Sequence, residues 1–470
     1  MNDKPLALLP ELLLLIGAVT TLLCGSFLPR HRQGVAGIIA ALALAGSVVA
    51  ALTGRVDQTV YDHSYAIDVA TSTARVVAPV SALLFIALAT PRVAGDRRQS
   101  EFYVLVLLAT LGAVVMSGAS DLLLLAVGYL LATIPLYGLA GWGRDARGAE
   151  AALKLYLLGA LVGVIMLAGV TLLYAAGGAT GYDQLSAALP GAPAGLVTVG
   201  VVALLAGLLF KAGAAPVHFW VPDTVEGATT GAAALLTTVP KIGALIAAYR
   251  LLEVVPTGSG WPIFVAVVAA VTMTLGNLAA FTQTSAQRLL AYSTISQVGY
   301  LLMAVAVTGG TGRALPSLLA YLAAYAITNV GAFAVVAALP QYHHLDDYRG
   351  LARRRPILTT ALVICLLGLV GTPPTAVFVG KLAVFSAAWD GGFGWLVVLA
   401  AVNTVASLYY YLRWLAPAFT AAAPTSAAAS PTGSGTRAAA AVAAGAAVVT
   451  LAIAVAGGPI LDIVGGTLAR

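Results

Sequence analysis

Four lysines lie inside long apolar stretches of this 470-residue sequence: Lys154, Lys211, Lys241 and Lys381. Only one other lysine, Lys4, occurs in the chain. A charged ammonium is costly in hydrocarbon unless it faces a polar or hydrated interior. Lysine also differs from arginine in that its amine can release its proton when it is buried. These residues are therefore predicted to hold and transfer protons rather than to anchor the chain at a surface.

The composition indicates that the apolar stretches cross a membrane. The chain is 60% hydrophobic and 9% charged, whereas a soluble domain has roughly 25% charged residues. Glycine and proline occur freely within the stretches, as transmembrane helices tolerate, and no stretch has the alternating pattern of a membrane barrel. The expected fold class is all-α, in a multi-pass (polytopic) membrane protein.

A crossing needs about 20 apolar residues, which gives about fourteen transmembrane helices. The predicted spans are 7–27, 34–52, 70–91, 102–118, 121–142, 150–175, 196–215, 229–252, 262–282, 286–308, 314–338, 357–387, 392–415 and 437–457. Span 12 is too long for one straight crossing and contains Pro373-Pro374, so we expect it to be broken. Span 7 also ends in a predicted break, before Pro216. Such paired breaks are typical of internally repeated transporters that bind ions there.

The positions of the arginines predict the orientation. Most follow odd-numbered spans: Arg30, Arg32, Arg92, Arg97, Arg98, Arg144, Arg147, Arg288, Arg349, Arg353, Arg354, Arg355 and Arg437. The opposite side is assigned Arg55, Arg250 and Arg313, with Arg75 at the start of span 3. Because cytoplasmic loops are enriched in arginine and lysine, both termini are expected on the outer (periplasmic or extracellular) side. This requires an even number of spans.

The same sequence disfavours several kinds of site. The net charge of +6 is spread over loops, with one basic block at 353–355, so no nucleic-acid partner is expected. Cys24 and Cys365 lie alone in apolar segments and form no CxxC site. The five histidines have no metal-ligand spacing. We expect neither a metal site nor cofactor-binding residues in this chain. The composition of 421–435 predicts a flexible linker.

Polar residues within the spans form a second group of candidates. Tyr292, Ser296 and Tyr300 recur at every fourth position, beside Ser293 and Gln297, on one helix face. Such a face can hold ordered water for proton transfer. For isolated serines and asparagines, hydrogen bonding between helices is the better explanation. Further candidates are Tyr129, Asn277, Asn329, Asn403 and His218.

The candidates differ in how readily they are explained without proton transfer. Lys154 lies near the start of its span, so its amine could instead extend to the membrane interface. For His218, a proton relay and a loop contact are both open. No acidic residue lies in mid-span to pair with the lysines; those near span ends or in loops are Glu11, Asp121, Glu150, Asp223 and Glu226.

Several longer segments, in order along the chain, carry a resemblance to a known family. They are EAALKLYLLGAL (150–161), FKAGAAPVHFWVPDTVEGATT (210–230), TVPKIGAL (238–245), RLLAYSTISQVGYLL (288–302), YLAAYAITNVGAFAVV (321–336) and GTPPTAVFVGKLAVFSAA (371–388). From about span 3 to span 13 the chain resembles the antiporter-like membrane subunits of respiratory complex I. The resemblance is greatest to subunit N of bacterial NADH–quinone oxidoreductase, which TVPKIGAL favours over the sodium/proton-antiporter relatives.

The resemblance implies a fourteen-helix subunit with two inverted five-helix repeats and broken helices 7 and 12. The implied divisions are N-terminal helices, first repeat, second repeat, and linker with helix 14, at 1–101, 102–252, 253–415 and 416–470. Lys211 and Lys241 match family lysines of the first half-channel, Lys381 that of the second, and Lys154 the one on the preceding helix. His218 matches a family histidine near the first break.

The same resemblance implies partners and a location. NADH, FMN, iron–sulfur clusters and quinone would be bound by partner subunits, with no cofactor in this chain. Direct partners would be the other membrane-arm subunits and the lipid bilayer, in a bacterial plasma membrane.

Two positions depart from the family pattern. Tyr129 occupies the place of a glutamate that normally pairs with the lysine of span 7, so the charge pair with Lys211 is absent. Thr229-Thr230-Gly231 stands where the family tends to have Pro-Thr-Pro.

Three hypotheses follow. The first is a proton-translocating subunit of an NADH–quinone oxidoreductase-type complex, in which Gln297, Tyr300, Tyr129 and His218 relay protons or modulate the lysines. The second is a mainly structural subunit of a related complex, with a first half-channel impaired by Tyr129. The third is a stand-alone cation/proton antiporter, which the missing membrane carboxylate disfavours.

Overall fold

The computed structural model describes residues 5–54, 57–421 and 434–469. Its α-helices are α1 (Leu9–Phe27), α2 (Gly34–Thr53), α3 (Val69–Val93), α4 (Gln99–Gly118), α5 (Leu122–Ala140), α6 (Ala146–Gly177), α7 (Tyr182–Ala188), α8 (Ala194–Ala212), α9 (Trp220–Gly227), α10 (Thr230–Leu236), α11 (Val239–Leu252), α12 (Trp261–Ala280), α13 (Ala286–Ala306), α14 (Ala314–Ala338), α15 (Leu351–Arg354), α16 (Pro356–Val370), α17 (Ala376–Asp390), α18 (Gly394–Phe419), α19 (Ser434–Val455) and α20 (Gly457–Ile463). Short 3-10 turns occupy Pro5–Leu8, Arg30–Arg32, Leu189–Gly191, Thr257–Ser259 and Leu345–Tyr348. Lys4, Arg55 and nearly all of the predicted linker lie outside the described residues.

Thirteen segments of the described chain are long and apolar enough to cross a membrane, and each coincides with a predicted span. The remaining predicted span, 357–387, consists of α16 and α17, which have 15 residues each. Residues 371–375 separate these two helices and include Pro373-Pro374. The all-α, multi-pass fold is confirmed.

A short β-hairpin before α3 is a feature that the sequence analysis missed. β1 (Gln58–Val60) pairs with β2 (Tyr65–Ile67) in antiparallel fashion. Tyr61, Asp62 and His63 in the turn have positive φ angles. Three-residue strands are too short for an alternating pattern to be distinguished in the sequence.

Arg75, expected at the start of span 3, and Arg250, expected in a loop, are both buried within helices. Arg75 of α3 pairs with Glu11 of α1 at 2.7 Å, and Arg250 of α11 pairs with Asp68, the N-cap of α3, at 2.8 Å. All four side chains are less than one-tenth exposed. The assignment of Arg250 to a loop was therefore wrong.

The eighth predicted span is interrupted, which the sequence analysis also missed. Thr237 and Thr238 separate α10 from α11. Asn329 of α14 donates from Nδ2 to the hydroxyl oxygens of both threonines, at 3.0 Å each. The hydroxyl of Tyr325, also on α14, donates to the Thr237 carbonyl oxygen at 2.9 Å. Side chains of α14 thus bond polar groups at the break that would otherwise lack partners in a dry interior.

The backbones of α4 and α11 approach closely at Gly243, two residues after Lys241. A Cβ atom at this position would lie 2.5 Å from the carbonyl oxygen of Ala113 and 2.9 Å from its Cα. Small residues allow helices in membranes to pack at such distances. The contact therefore fixes the first turn of α11 against α4.

We predict that Gly243→Ala lowers the free energy of unfolding by about 1–3 kcal/mol, because the added methyl group forces two packed helices apart. Thermal unfolding of the purified, detergent-solubilised protein measures the change. Gly195→Ala is the control, since nothing lies within 4 Å of a Cβ there. Equal Tm values for the two variants would contradict the packing argument.

Candidate functional site

Lys211 lies in the last turn of α8 and is 3% exposed. The helix ends immediately afterwards at Gly213, whose φ of +83° favours glycine. The amine donates a hydrogen bond to the hydroxyl of Thr133 on α5. It also lies 5.0 Å from the centre of the Tyr129 ring, one turn earlier on α5. Tyr129 thus offers Lys211 the face of its ring, while its own buried hydroxyl has no hydrogen-bond partner among the described residues.

Lys241 lies in the first turn of α11, next to the break that α14 caps, and is 1% exposed. Its amine donates to the carbonyl oxygen of Thr294 on α13 at 3.3 Å and lies 5.9 Å from the centre of the Tyr325 ring. A Cβ on Gly213 would lie 3.8 Å from the Lys241 nitrogen. The Lys241 amine therefore reaches the end of the helix that carries Lys211.

Lys381 of α17 is held at the second break. Its amine donates to the carbonyl oxygen of Val370, the last residue of α16, at 2.8 Å, and to the hydroxyl of Thr404 at 3.4 Å. The nitrogen lies 3.9 Å from the centre of the Tyr300 ring. The final carbonyl groups of a helix lack helical partners and form its negative end. The break therefore supplies a carbonyl acceptor that favours the charged form of the Lys381 amine in place of a carboxylate.

Gln297 lies between these lysine sites on α13. Its Nε2 donates to the carbonyl oxygen of Leu369 at 2.7 Å, and its Oε1 accepts from the hydroxyl of Tyr321 at 2.5 Å. The adjacent carbonyl, that of Val370, is the acceptor for Lys381. Gln297 and Lys381 therefore share the free end of α16.

Helix α13, which carries the predicted polar face, contacts both lysine regions. Thr294 accepts from Lys241, and Tyr300 faces Lys381. These two residues are separated by about 9 Å of helix, at 1.5 Å per residue. Gln297 lies midway between them. Sequence reasoning found this face but missed Thr133, Thr294, Tyr321 and Thr404, because their roles depend on contacts between helices.

The asparagine candidates bind helices to one another. Asn277 of α12 donates to the carbonyl and side-chain oxygens of Asn403 on α18, at 2.8 and 3.0 Å, and accepts from the Tyr410 hydroxyl at 3.0 Å. Ser293 of α13 and Tyr411 of α18 are hydrogen-bonded at 2.5 Å. These contacts match the interhelical role that the sequence analysis preferred for such residues.

Lys154 is partly exposed and pairs with acidic residues, which corrects the expectation of a buried amine without an acidic partner. Its side chain is 42% exposed, and its amine lies 2.7 Å from carboxylate oxygens of both Glu150 and Asp223. Arg288 of α13 donates to Asp223 at 3.0 Å and to Glu226 at 2.8 Å. Partial burial raises the pKa of Asp223, but the hydrogen bonds from Lys154 and Arg288 outweigh it and hold that pKa below its ordinary value. Asp223 thereby links α6 to α13.

This ion-paired group lines an open cavity of about 770 Å³. The other polar walls include Arg92, Arg147, Gln287 and His344. The lining segments follow spans 3, 5, 7, 9 and 11, so the cavity lies at the arginine-rich face.

His218 lies between α8 and α9 and is 5% exposed, with its ring 4.7 Å from that of Phe219. Its Nδ1 has no hydrogen-bond partner within the described part of the chain. The structure thus places His218 beside the first break without bonding it to a candidate lysine there.

Comparisons with known proteins agree on one family. The family described as NADH:quinone oxidoreductase/Mrp antiporter, TM, matches residues 119–407. The chain is 56% identical to NADH-quinone oxidoreductase subunit N 1 of Streptomyces griseus, over 91% of each chain. It is 52% identical to NADH-quinone oxidoreductase subunit N of a Mycobacterium species, over 88% of this chain and 89% of that one. Among solved structures, respiratory complex I from Thermus thermophilus with bound aureothin contains a similar chain, with a TM-score of 0.85, 34% identity, and coverage of 97% of this chain and 100% of that one.

We predict that Tyr129 and Lys211 are energetically coupled through the ring face. A double-mutant cycle of Tyr129→Leu and Lys211→Met should give a coupling of about 1–2 kcal/mol in thermal unfolding, because a desolvated ammonium is attracted to an aromatic face. Tyr129→Phe is the matched control: it keeps the ring and removes only the unpartnered hydroxyl, so it should retain the stability. A coupling of zero would indicate that the resting amine carries no charge.

Proposed function

Since the chain belongs to the subunit N family of NADH–quinone oxidoreductases, we propose that it is a proton-translocating membrane-arm subunit of such a respiratory complex. Redox reactions in partner subunits bias the hydration and protonation of its lysines and drive protons outward. The observation that supports this proposal most directly is the environment of Lys211, Lys241 and Lys381. Each amine is almost fully buried, yet each is held by hydroxyl or carbonyl oxygens.

The absence of a fixed counter-charge matters for proton transfer. An amine in an ion pair holds its proton firmly, whereas an amine with neutral acceptors can release it when its surroundings change. Among the described residues, no ion pair joins these three lysines to a carboxylate. Their amines therefore suit a group that must gain and lose a proton in each cycle.

The proposed path has a beginning and a direction. Protons enter from the cytoplasm through the 770 Å³ cavity, where Lys154 and Asp223 at its wall receive them. His218 relays protons toward Lys211 beside the first break. From Lys241 the polar face of α13, with Gln297 and Tyr300, leads to Lys381. Water fills the gaps between these groups, as proton transfer over such distances requires.

The assignments implied by the family complete the proposal. We assign 102–252 and 253–415 to the two inverted repeats, 1–101 to the N-terminal helices, and 416–470 to the linker and final helix. NADH, FMN, iron–sulfur clusters and quinone belong to partner subunits. The subunit lies in a bacterial plasma membrane beside other membrane-arm subunits, with both termini facing outward.

We predict that Lys211→Met and Lys381→Met each slow proton translocation roughly 100-fold at the altered site, because a positioned proton-transfer group typically accelerates the transfer by that factor or more. The measurement is the rate of proton translocation by the assembled complex in proteoliposomes, taken together with the number of protons pumped per quinone reduced. Arg313→Met is the control, because this exposed cation pairs with Asp390 away from the path. Unchanged pumping in both lysine variants of an assembled complex would defeat the proposal.

Tyr129 favours a second candidate function. Lys211 has a hydroxyl and a ring face as partners, where the family pattern has a carboxylate. If a charge pair at this position is indispensable, the first half-channel is impaired and the subunit is mainly structural. The lysine path would then be incomplete between the cavity and Lys241.

Restoring the acid separates the two functions. In a structural subunit with an impaired first half-channel, Tyr129→Glu should raise the proton-to-electron ratio, because the carboxylate provides the missing counter-charge for Lys211. Tyr129→Gln controls for loss of the ring without adding charge. If Tyr129→Glu changes neither pumping nor thermal stability relative to Tyr129→Gln, the structural hypothesis loses its support.

A further inference from the structure

Two adjacent histidines, His343 and His344, line the 770 Å³ cavity at the arginine-rich face, and both are exposed. They lie in the loop between α14 and α15, and the proton path proposed above does not use them. Histidine is the only side chain whose ordinary pKa lies near neutrality, so it readily both binds and releases a proton there. The pair therefore brings two groups suited to proton exchange to the wall of the cavity.

Hydrogen bonds hold this loop against the start of α13. The carbonyl oxygen of His343 accepts from the backbone N–H of Ala286 at 3.0 Å, and the backbone N–H of Leu345 donates to the carbonyl oxygen of Thr284 at 2.9 Å. The carboxylate of Asp347 accepts from the backbone N–H groups of both histidines, at 2.9 and 2.8 Å. The fold thus fixes the main chain of the pair and leaves both rings at the open cavity.

The same turn of α13 leads to the ion-paired group in the cavity. Ser285, the N-cap of α13, forms a β-bridge with His344. About one helical turn later, Arg288 donates to Asp223 at 3.0 Å, and Lys154 donates to the same carboxylate at 2.7 Å. The histidines and the Lys154–Asp223 pair therefore line one cavity and are connected through the first turn of α13.

The other charged groups on the cavity wall balance one another. Four are acidic and four are basic: Asp145, Glu150, Asp223 and Glu226, and Arg92, Arg147, Lys154 and Arg288. Tyr342 and the two histidines are the remaining titratable residues among those that line it. Partial burial raises the pKa of Asp223, but the hydrogen bonds from Lys154 and Arg288 outweigh it and hold that pKa below its ordinary value. Asp223 therefore seldom holds a proton at neutral pH and needs a neighbouring group that does.

We propose that His343 and His344 form a proton-collecting site that supplies the Lys154–Asp223 pair. A buffer acid or water gives a proton to a neutral histidine ring, which becomes an imidazolium. The imidazolium then passes the proton through water in the cavity to the Asp223 carboxylate and becomes neutral again, so that the site is unchanged after each transfer. The assignment rests on the proposed function, because it requires the cavity to be the entrance of the proton path.

The test is the rate of proton translocation by the assembled complex in proteoliposomes, at neutral pH and low buffer concentration. The double variant His343→Gln/His344→Gln keeps polar side chains but removes both exchangeable groups. We expect it to translocate protons roughly 10-fold more slowly, a smaller loss than for a group that acts directly at a reacting site. His31→Gln is the matched control, because this exposed histidine between α1 and α2 does not line the cavity. A double variant that is as fast as His31→Gln overturns the proposal.

Added buffer distinguishes a loss of proton supply from a change in packing. The zwitterionic buffer MES does not cross the membrane, and it can carry protons into the open cavity in place of the histidines. Raising its concentration should restore most of the lost rate in the double variant, and a loss that MES leaves unchanged overturns the proposal.

The lysine variants show which of the two proposals fails. Lys381→Met alters the path beyond the cavity, so its loss of translocation should persist at every MES concentration. A histidine double variant with the unaltered rate, together with slow lysine variants, overturns the proton-collecting site and leaves the proposed function intact.

Discussion

An amine buried in a membrane protein needs oxygen acceptors, and each of the three buried lysines of this chain finds them beside a helix break. Lys381 bonds the carbonyl oxygen of Val370, where α16 stops. Lys241 lies in the first turn of the helix that follows the Thr237-Thr238 break. Lys211 lies in the last turn of the helix that precedes Gly213. Irregular backbone at membrane depth is tolerated only where it is buried in protein or lines a hydrated cavity. The break after α16 therefore supplies the acceptor for Lys381, whereas Lys211 and Lys241 lie beside breaks and bond Thr133 on α5 and Thr294 on α13.

Charge is distributed unevenly along the membrane normal. Ion pairs occupy the two ends: Arg250 with Asp68 at one, and Lys154 with Asp223 at the opposite, arginine-rich one. Between them the lysines contact hydroxyl groups, carbonyl groups and aromatic rings. Pairing at the ends joins helices, whereas neutral contacts in the middle suit the proton exchange that we propose for these amines.

Much of this arrangement could be predicted from the sequence, for identifiable reasons. Apolar length sets the spans, and Pro373-Pro374 marks the break in span 12, because both signals are local. Pro240, in the first turn of α11, lies beside the Thr237-Thr238 break, but the donors that bond this break come from α14 and are not visible in the local sequence. The pairing of Lys154 joins residues 69 positions apart, and the burial of Arg250 requires Asp68 from another helix. Such features arise only when distant segments pack.

The contact between α14 and the Thr237-Thr238 break has a mechanical consequence. Asn329 and Tyr325 belong to the proposed second repeat, whereas the threonines that they bond belong to the first. A shift of α14 along its axis would move the first turn of α11, and the Lys241 amine with it. These hydrogen bonds therefore provide a direct mechanical connection between the two proposed repeats.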